Sequence, residues 1–102
     1  MEKIKLLMEH MEDEIRDAHT YAELALEYRT TDPETAELFY KLSCEETNHM
    51  NMLHKDIVRI IDCYKRDKGA PPADMVAVYE YLHKRAVEKA TEVGILQGMY
   101  RK

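Results

Sequence analysis

Tryptophan is absent from this 102-residue chain, phenylalanine occurs once, and glycine and proline occur three times each. This scarcity of Trp, Phe and turn-forming residues, beside an abundance of Glu, Lys, Ala, Leu and Met, argues against a β-sheet protein. Cysteine occurs twice, with no Cys-x-x-Cys, which excludes a rubredoxin-type or zinc-ribbon module. Cys44 and Cys63 fall on one predicted helix, about nineteen residues or 28 Å apart, beyond disulfide reach. They read as reduced, structural thiols. A basic excess is also missing. With 15 Lys and Arg against 20 Asp and Glu, the net charge is −5, so no cationic face is expected and no nucleic-acid partner. No stretch approaches the ~20 apolar residues of a membrane span. The start, Met1-Glu2-Lys3-Ile4-Lys5, alternates charge with apolar residues and has no secretory h-region. The expectation is a cytoplasmic protein without membrane contact. No internal repeat or low-complexity tract is visible.

What is plentiful is Glu, Lys, Ala, Leu and Met, all good helix formers, so the fold class read is all-α. The length suits one domain with a modest core. A first helix is predicted over about 2–28, with Ile4, Leu7, Met11, Glu14, Ala18, Tyr21, Ala25 and Tyr28 alternating by three and four. Asp32-Pro33 reads as the cap and first residue of a second helix reaching about residue 66. Its stripe is Phe39, Leu42, Glu46, His49, Leu53, Ile57, Ile60 and Tyr64, broadened by Ile61. The short joint makes residues 1–66 an antiparallel hairpin. Gly69 caps the second helix, and a third is predicted within 73–100, ending near residue 97. Its stripe (Met75, Tyr79, Leu82, Ala86, Ala90, Val93, Leu96) carries no acid and no histidine. Gly94 and Gly98 should weaken its end or admit a close helix approach.

Two acids interrupt the apolar stripes. Glu46-Thr47-Asn48-His49 places a carboxylate and an imidazole one turn apart on one helix face. Glu14 is the one charge on the first stripe. The joint is centred near residue 31, with Glu14 about 17 positions before it and Glu46 and His49 about 15 and 18 after. All three therefore reach one layer of the core. Buried acids without partners are costly, so their convergence points to a metal. One hairpin supplies half the ligands of a carboxylate-bridged di-metal site. The third helix cannot supply the rest, whereas a two-fold dimer doubles Glu14, Glu46 and His49 to six.

These residues resemble the ferritin-like superfamily, in particular rubrerythrin-type domains and encapsulated ferritins. The resemblance covers residues 8–65: Glu14, Tyr21 seven residues later, a short joint, then Glu46-Thr47-Asn48-His49. It implies a half-ferritin of hairpin plus third helix that dimerises into a ferritin-like four-helix bundle. It also implies two irons per dimer, held by Glu14, Glu46 and His49 of each chain, with Glu46 bridging. Manganese or zinc would suit the same donors. Tyr21 matches a tyrosine beside the metals. The implied activity is ferroxidase-type oxidation of Fe(II) by dioxygen or hydrogen peroxide. Implied partners are a second copy, as a dimer or a ring of dimers, and an encapsulin-type shell. Glu92-Val93-Gly94-Ile95-Leu96 is similar to a shell-docking tail. The single Glu-x-x-His departs from the monomeric rubrerythrin pattern, and no rubredoxin module is present to pass electrons.

The rival reading is a non-catalytic helical oligomer or interaction protein, with a structural metal or none. In it Glu14 is a rim residue paired with Arg16 or with a neighbouring subunit, and Glu46 and His49 sit on an exposed or half-exposed flank. Tyr21 is then a core tyrosine. Glu45, one position off the stripe, is expected to sit behind the ligands or in solvent; His10, Asp17, His19, His54 and His83 are expected to be solvated, with the first three able to serve as an accessory entry site for cations. The methionines are expected to fill gaps in the core or an interface.

Overall fold

The computed structural model describes residues 2–102 as three helices: α1 (Glu2–Tyr28), α2 (Pro33–Lys68) and α3 (Ala73–Arg101). They form an up-down-up bundle measuring 55 × 19 × 18 Å. No helix among the described residues is long and apolar enough to cross a membrane.

Local chemistry sets the joints. Asp32 caps α2 by accepting from the Thr35 N–H at 3.2 Å and the Thr35 hydroxyl at 2.8 Å, with Pro33 in the first turn. At the far end the Gly69 N–H donates to the Lys65 carbonyl at 3.1 Å. Gly69 has φ +83°, a conformation that a side chain would strain. This cap lets α2 run two residues beyond the expected end. Pro71 and Pro72 then keep the chain from continuing the helix before α3.

The core differs from the predicted stripe on α1. Ile4, Met11, Ala18 and Ala25 are buried as expected, but the remaining buried positions are Met8, Ile15 and Ala22. Leu7, Glu14 and Tyr21 are only half-buried, and Tyr28 is exposed. The apolar stripe of α1 therefore has two edges. Part of one edge, Met8 and Ile15, lies at the seam with α3, where the neighbouring α3 residues are Met75 to Leu82 and Arg85 to Lys89. The other edge, carrying Leu7, Glu14, Tyr21 and Tyr28, remains open. On α2 the fully buried side chains are Ala36, Ser43 and Ile57, while Phe39, Leu42, Leu53 and Ile60 are half-buried.

Polar contacts pin the carboxyl-terminal end of α3 to the joint end of the hairpin. Arg29 donates to the Met99 carbonyl at 3.1 Å, and the Tyr100 hydroxyl donates to Glu37 at 2.8 Å. That bond to Glu37 is the main reason the Tyr100 phenol is pushed above its ordinary value. Tyr100 also stacks on Tyr40, with ring centroids 4.8 Å apart. Anchored in this way, α3 continues past Gly94 and Gly98 to Arg101 rather than weakening near residue 97. No neighbour approaches either glycine, so neither marks a close helix contact. Residues 92–96 lie inside this helix, with Val93 buried against the core.

Candidate metal centre

One buried hydroxyl aligns the hairpin. The Ser43 Oγ donates to the Ala18 carbonyl at 2.7 Å and accepts from Gln97 Nε2 at 2.9 Å. Gln97 also donates to the Thr47 hydroxyl at 3.2 Å, so one network joins all three helices. One helical turn before Ala18 is Glu14, and one turn after Ser43 is Thr47. The Ser43–Ala18 bond thus brings Glu14 level with Thr47, between Glu46 and His49. Ser43→Ala is expected to lower stability by about 1 kcal/mol. In a chain of this size that is a fall in Tm of roughly 4–8 °C, read by thermal melting. An unchanged Tm would show that the hydroxyl does not secure the register.

At that level Glu14, Glu46 and His49 converge. One ligand atom from each lies within 4.8 Å of the other two. His49 Nδ1 is 3.6 Å from a Glu14 oxygen and 3.7 Å from a Glu46 oxygen. These separations are too long for strong hydrogen bonds and leave the two carboxylates and the imidazole around a common point. The carboxylates are the more enclosed, with side-chain exposures of 27% for Glu14 and 18% for Glu46 against 51% for His49. Glu14 is not paired with Arg16, whose guanidinium instead lies 3.2 Å from Asp13. Glu45 is exposed, as its off-stripe position predicts.

Tyr21 stacks on Phe39, with centroids 6.0 Å apart, and Phe39 on Tyr28 at 6.2 Å. The three rings line the open side of the hairpin from the level of Tyr21 toward the joint. Leu7, Leu42, Leu53 and Ile60 are half-buried on the same two helices, and Leu7, Leu53 and Ile60 pack against the core. α3 does not cover this side. Its polar contacts on α2 are Ser43, Thr47 and Glu37, and its stacking contacts are Tyr40 and His54.

Three histidines depart from the solvated reading. His54 and His83 are half-buried and stack across the α2–α3 seam at 5.2 Å, with Tyr79 stacked on His83 at 5.7 Å. His19 is also half-buried and lies 2.8 Å from Glu23. His10 and Asp17 are exposed as expected. Cys44 and Cys63 are free thiols. Sequence reasoning passed over Ser43 and Gln97. A serine and a glutamine near apolar positions give no sign that they will meet across 54 residues.

Comparison with protein-family models, curated proteins and solved structures finds no match to this chain. The class of the site therefore rests on its own donors.

Proposed function

We propose that the chain is one half of a ferritin-like di-metal protein, in which two copies hold two ions and oxidise Fe(II) with dioxygen or hydrogen peroxide. The observation that carries this reading is the convergence of Glu14, Glu46 and His49 beside an apolar side of the hairpin that α3 leaves open. Carboxylate and imidazole donors suit iron or manganese, and also zinc. Two carboxylates and an imidazole make a half-set, which a two-fold pairing of hairpins would double. The four carboxylates brought together would repel one another in a low dielectric, and two divalent cations balance their charge.

Bound iron would supply the redox change and open positions for the oxidant. The chain's contribution is to hold the donors at one level and to exclude water from them. The Ser43–Ala18 bond serves the first role, and Leu7, Leu42, Leu53 and the Tyr21–Phe39 stack would serve the second once a second copy closes over them. Tyr21 acts here as a packing neighbour. With Fe(II) as substrate, two ions give up two electrons, reducing dioxygen to hydrogen peroxide or hydrogen peroxide to water.

The test is the rate of Fe(III) formation, followed by absorbance after aerobic addition of Fe(II). Glu46→Ala is expected to slow it at least about ten-fold, the scale of losing one donor from a metal site. Equal rates for wild type and Glu46→Ala would reject the enzymatic reading and leave the helical oligomer.

A further inference from the structure

We infer that the seam where α3 meets α2 holds a second metal site, one for Cu(I), made by His54, His83, Met11 and Met50. These four side chains line one cavity of about 130 Å³. All three helices contribute, with Met11 from α1, Met50 and His54 from α2, and His83 from α3. The rest of the wall is Asn51 and small apolar residues, with no carboxylate, ammonium or guanidinium. Its donors are therefore two imidazoles, two thioethers and one amide.

The two rings already stand at a ligating separation. The centroids of His54 and His83 are 5.2 Å apart, with planes 21° from parallel. Two imidazoles bound to one tetrahedral ion at ~2.0 Å, with each ring centre ~1.1 Å beyond its nitrogen, hold their centres ~5 Å apart. Neither imidazole takes part in a hydrogen bond or ion pair among the described residues, so each keeps a ring nitrogen for a ligand. Tyr79 stacks on His83 at 5.7 Å and restricts that ring. Met11 is buried and Met50 packs against the same core cluster, so the thioether side of the cavity is the dry one. Asn51 and Val87 are exposed, which gives an ion a way in from solvent.

The donors select the ion. Thioethers are soft ligands that favour Cu(I), and imidazole also suits copper. A doubly charged ion would enter a half-buried wall that has no carboxylate to balance it, and the cost of desolvation rises with the square of the charge. Iron and manganese find their oxygen donors instead at Glu14 and Glu46. The two sites face different ways. Met50 follows His49 by one residue, about 100° around α2, which turns it from the open side toward the core.

Anaerobic titration with Cu(I) tests the assignment, in Cys44→Ser/Cys63→Ser so that the free thiols do not compete. One equivalent is expected to move the ε-methyl resonances of Met11 and Met50 and the ring resonances of His54 and His83. At 100 times its Kd, Cu(I) should raise Tm by about 10 °C or more. His83→Phe keeps a ring to stack on His54 but removes a donor, and it is expected to lose the rise. Glu46→Ala is expected to keep it, so this site and the carboxylate cluster can fail separately. In the wild-type chain the same methyl shifts are expected once the thiols are filled, which makes the answer independent of the serine variant. Cu(I) that leaves Met11 and Met50 unmoved, or that stabilises His83→Phe as much as its parent, overturns the assignment. Equal methyl shifts with Mn(II) overturn it as well.

Discussion

On the di-metal reading proposed above, Mn(II) is expected to raise the melting temperature of the wild-type protein, and Glu46→Ala to abolish that rise. Mn(II) probes the same donors as iron but stays divalent in air, so binding is read apart from oxidation. At a concentration 100 times its Kd, a ligand specific to the folded state stabilises it by about 2.7 kcal/mol. At roughly 4–8 °C per kcal/mol for a chain of this size, the wild-type rise should be about 10 °C or more. Glu46 is the most enclosed of the three donors, with 18% of its side chain exposed, so its loss should be felt most. Without metal, the same substitution removes one of two neighbouring carboxylates, and the variant should melt no lower than wild type. Sedimentation should report the linkage from the other direction, with Mn(II) driving wild-type monomer into dimer and leaving Glu46→Ala unchanged. An equal Mn(II) rise in both proteins would remove Glu46 from the metal site.

Ile57→Ala should give the largest loss of stability of any single change on α2. Ile57 is fully buried in the cluster that contains Met8, Met11 and Ile15. Removing its outer carbons costs about 2–5 kcal/mol, because the transfer term is lost and the neighbours close only part of the cavity. The corresponding fall in Tm is roughly 8–40 °C. Val58 provides an internal control. It is the next residue on the same helix but 39% exposed, and Val58→Ala should change stability by about 0.5 kcal/mol or less. Urea denaturation of the three proteins measures both, with equal m-values confirming that only stability has changed. A cost below about 1 kcal/mol for Ile57→Ala would mean that the three helices do not enclose this position in solution.

The joints were legible because their chemistry is local. Asp32-Pro33 and Gly69 act on groups within four residues of themselves, and each caps α2 where a reader of the sequence would place it. The level match of Glu14 with Glu46 and His49 was legible for a related reason. A short joint and a constant rise per residue leave little freedom in where facing residues meet. The edge of α1 that becomes core was not legible. Met8 and Ile15 lie one position along from Leu7 and Glu14, and both sets are compatible with a helix stripe. Which set is buried depends on the side that α3 takes, and no pattern in α1 records that. His54 and His83 were misread as solvated for the same reason, since they stack on one another only once α3 has taken its place beside α2.

By itself, then, the sequence determined the number of helices, the caps of α2, the hairpin and the three candidate ligands. All of these follow from backbone geometry and near neighbours along the chain. Only the tertiary structure decided that α3 packs beside Met8 and Ile15 and leaves the Glu14 side open, that Ser43 and Gln97 secure the register, and that Met11, Met50, His54 and His83 share a cavity. Those outcomes depend on which of two similar apolar edges a third helix covers. That choice is a small difference in packing summed over the whole contact, and no short segment of sequence contains it.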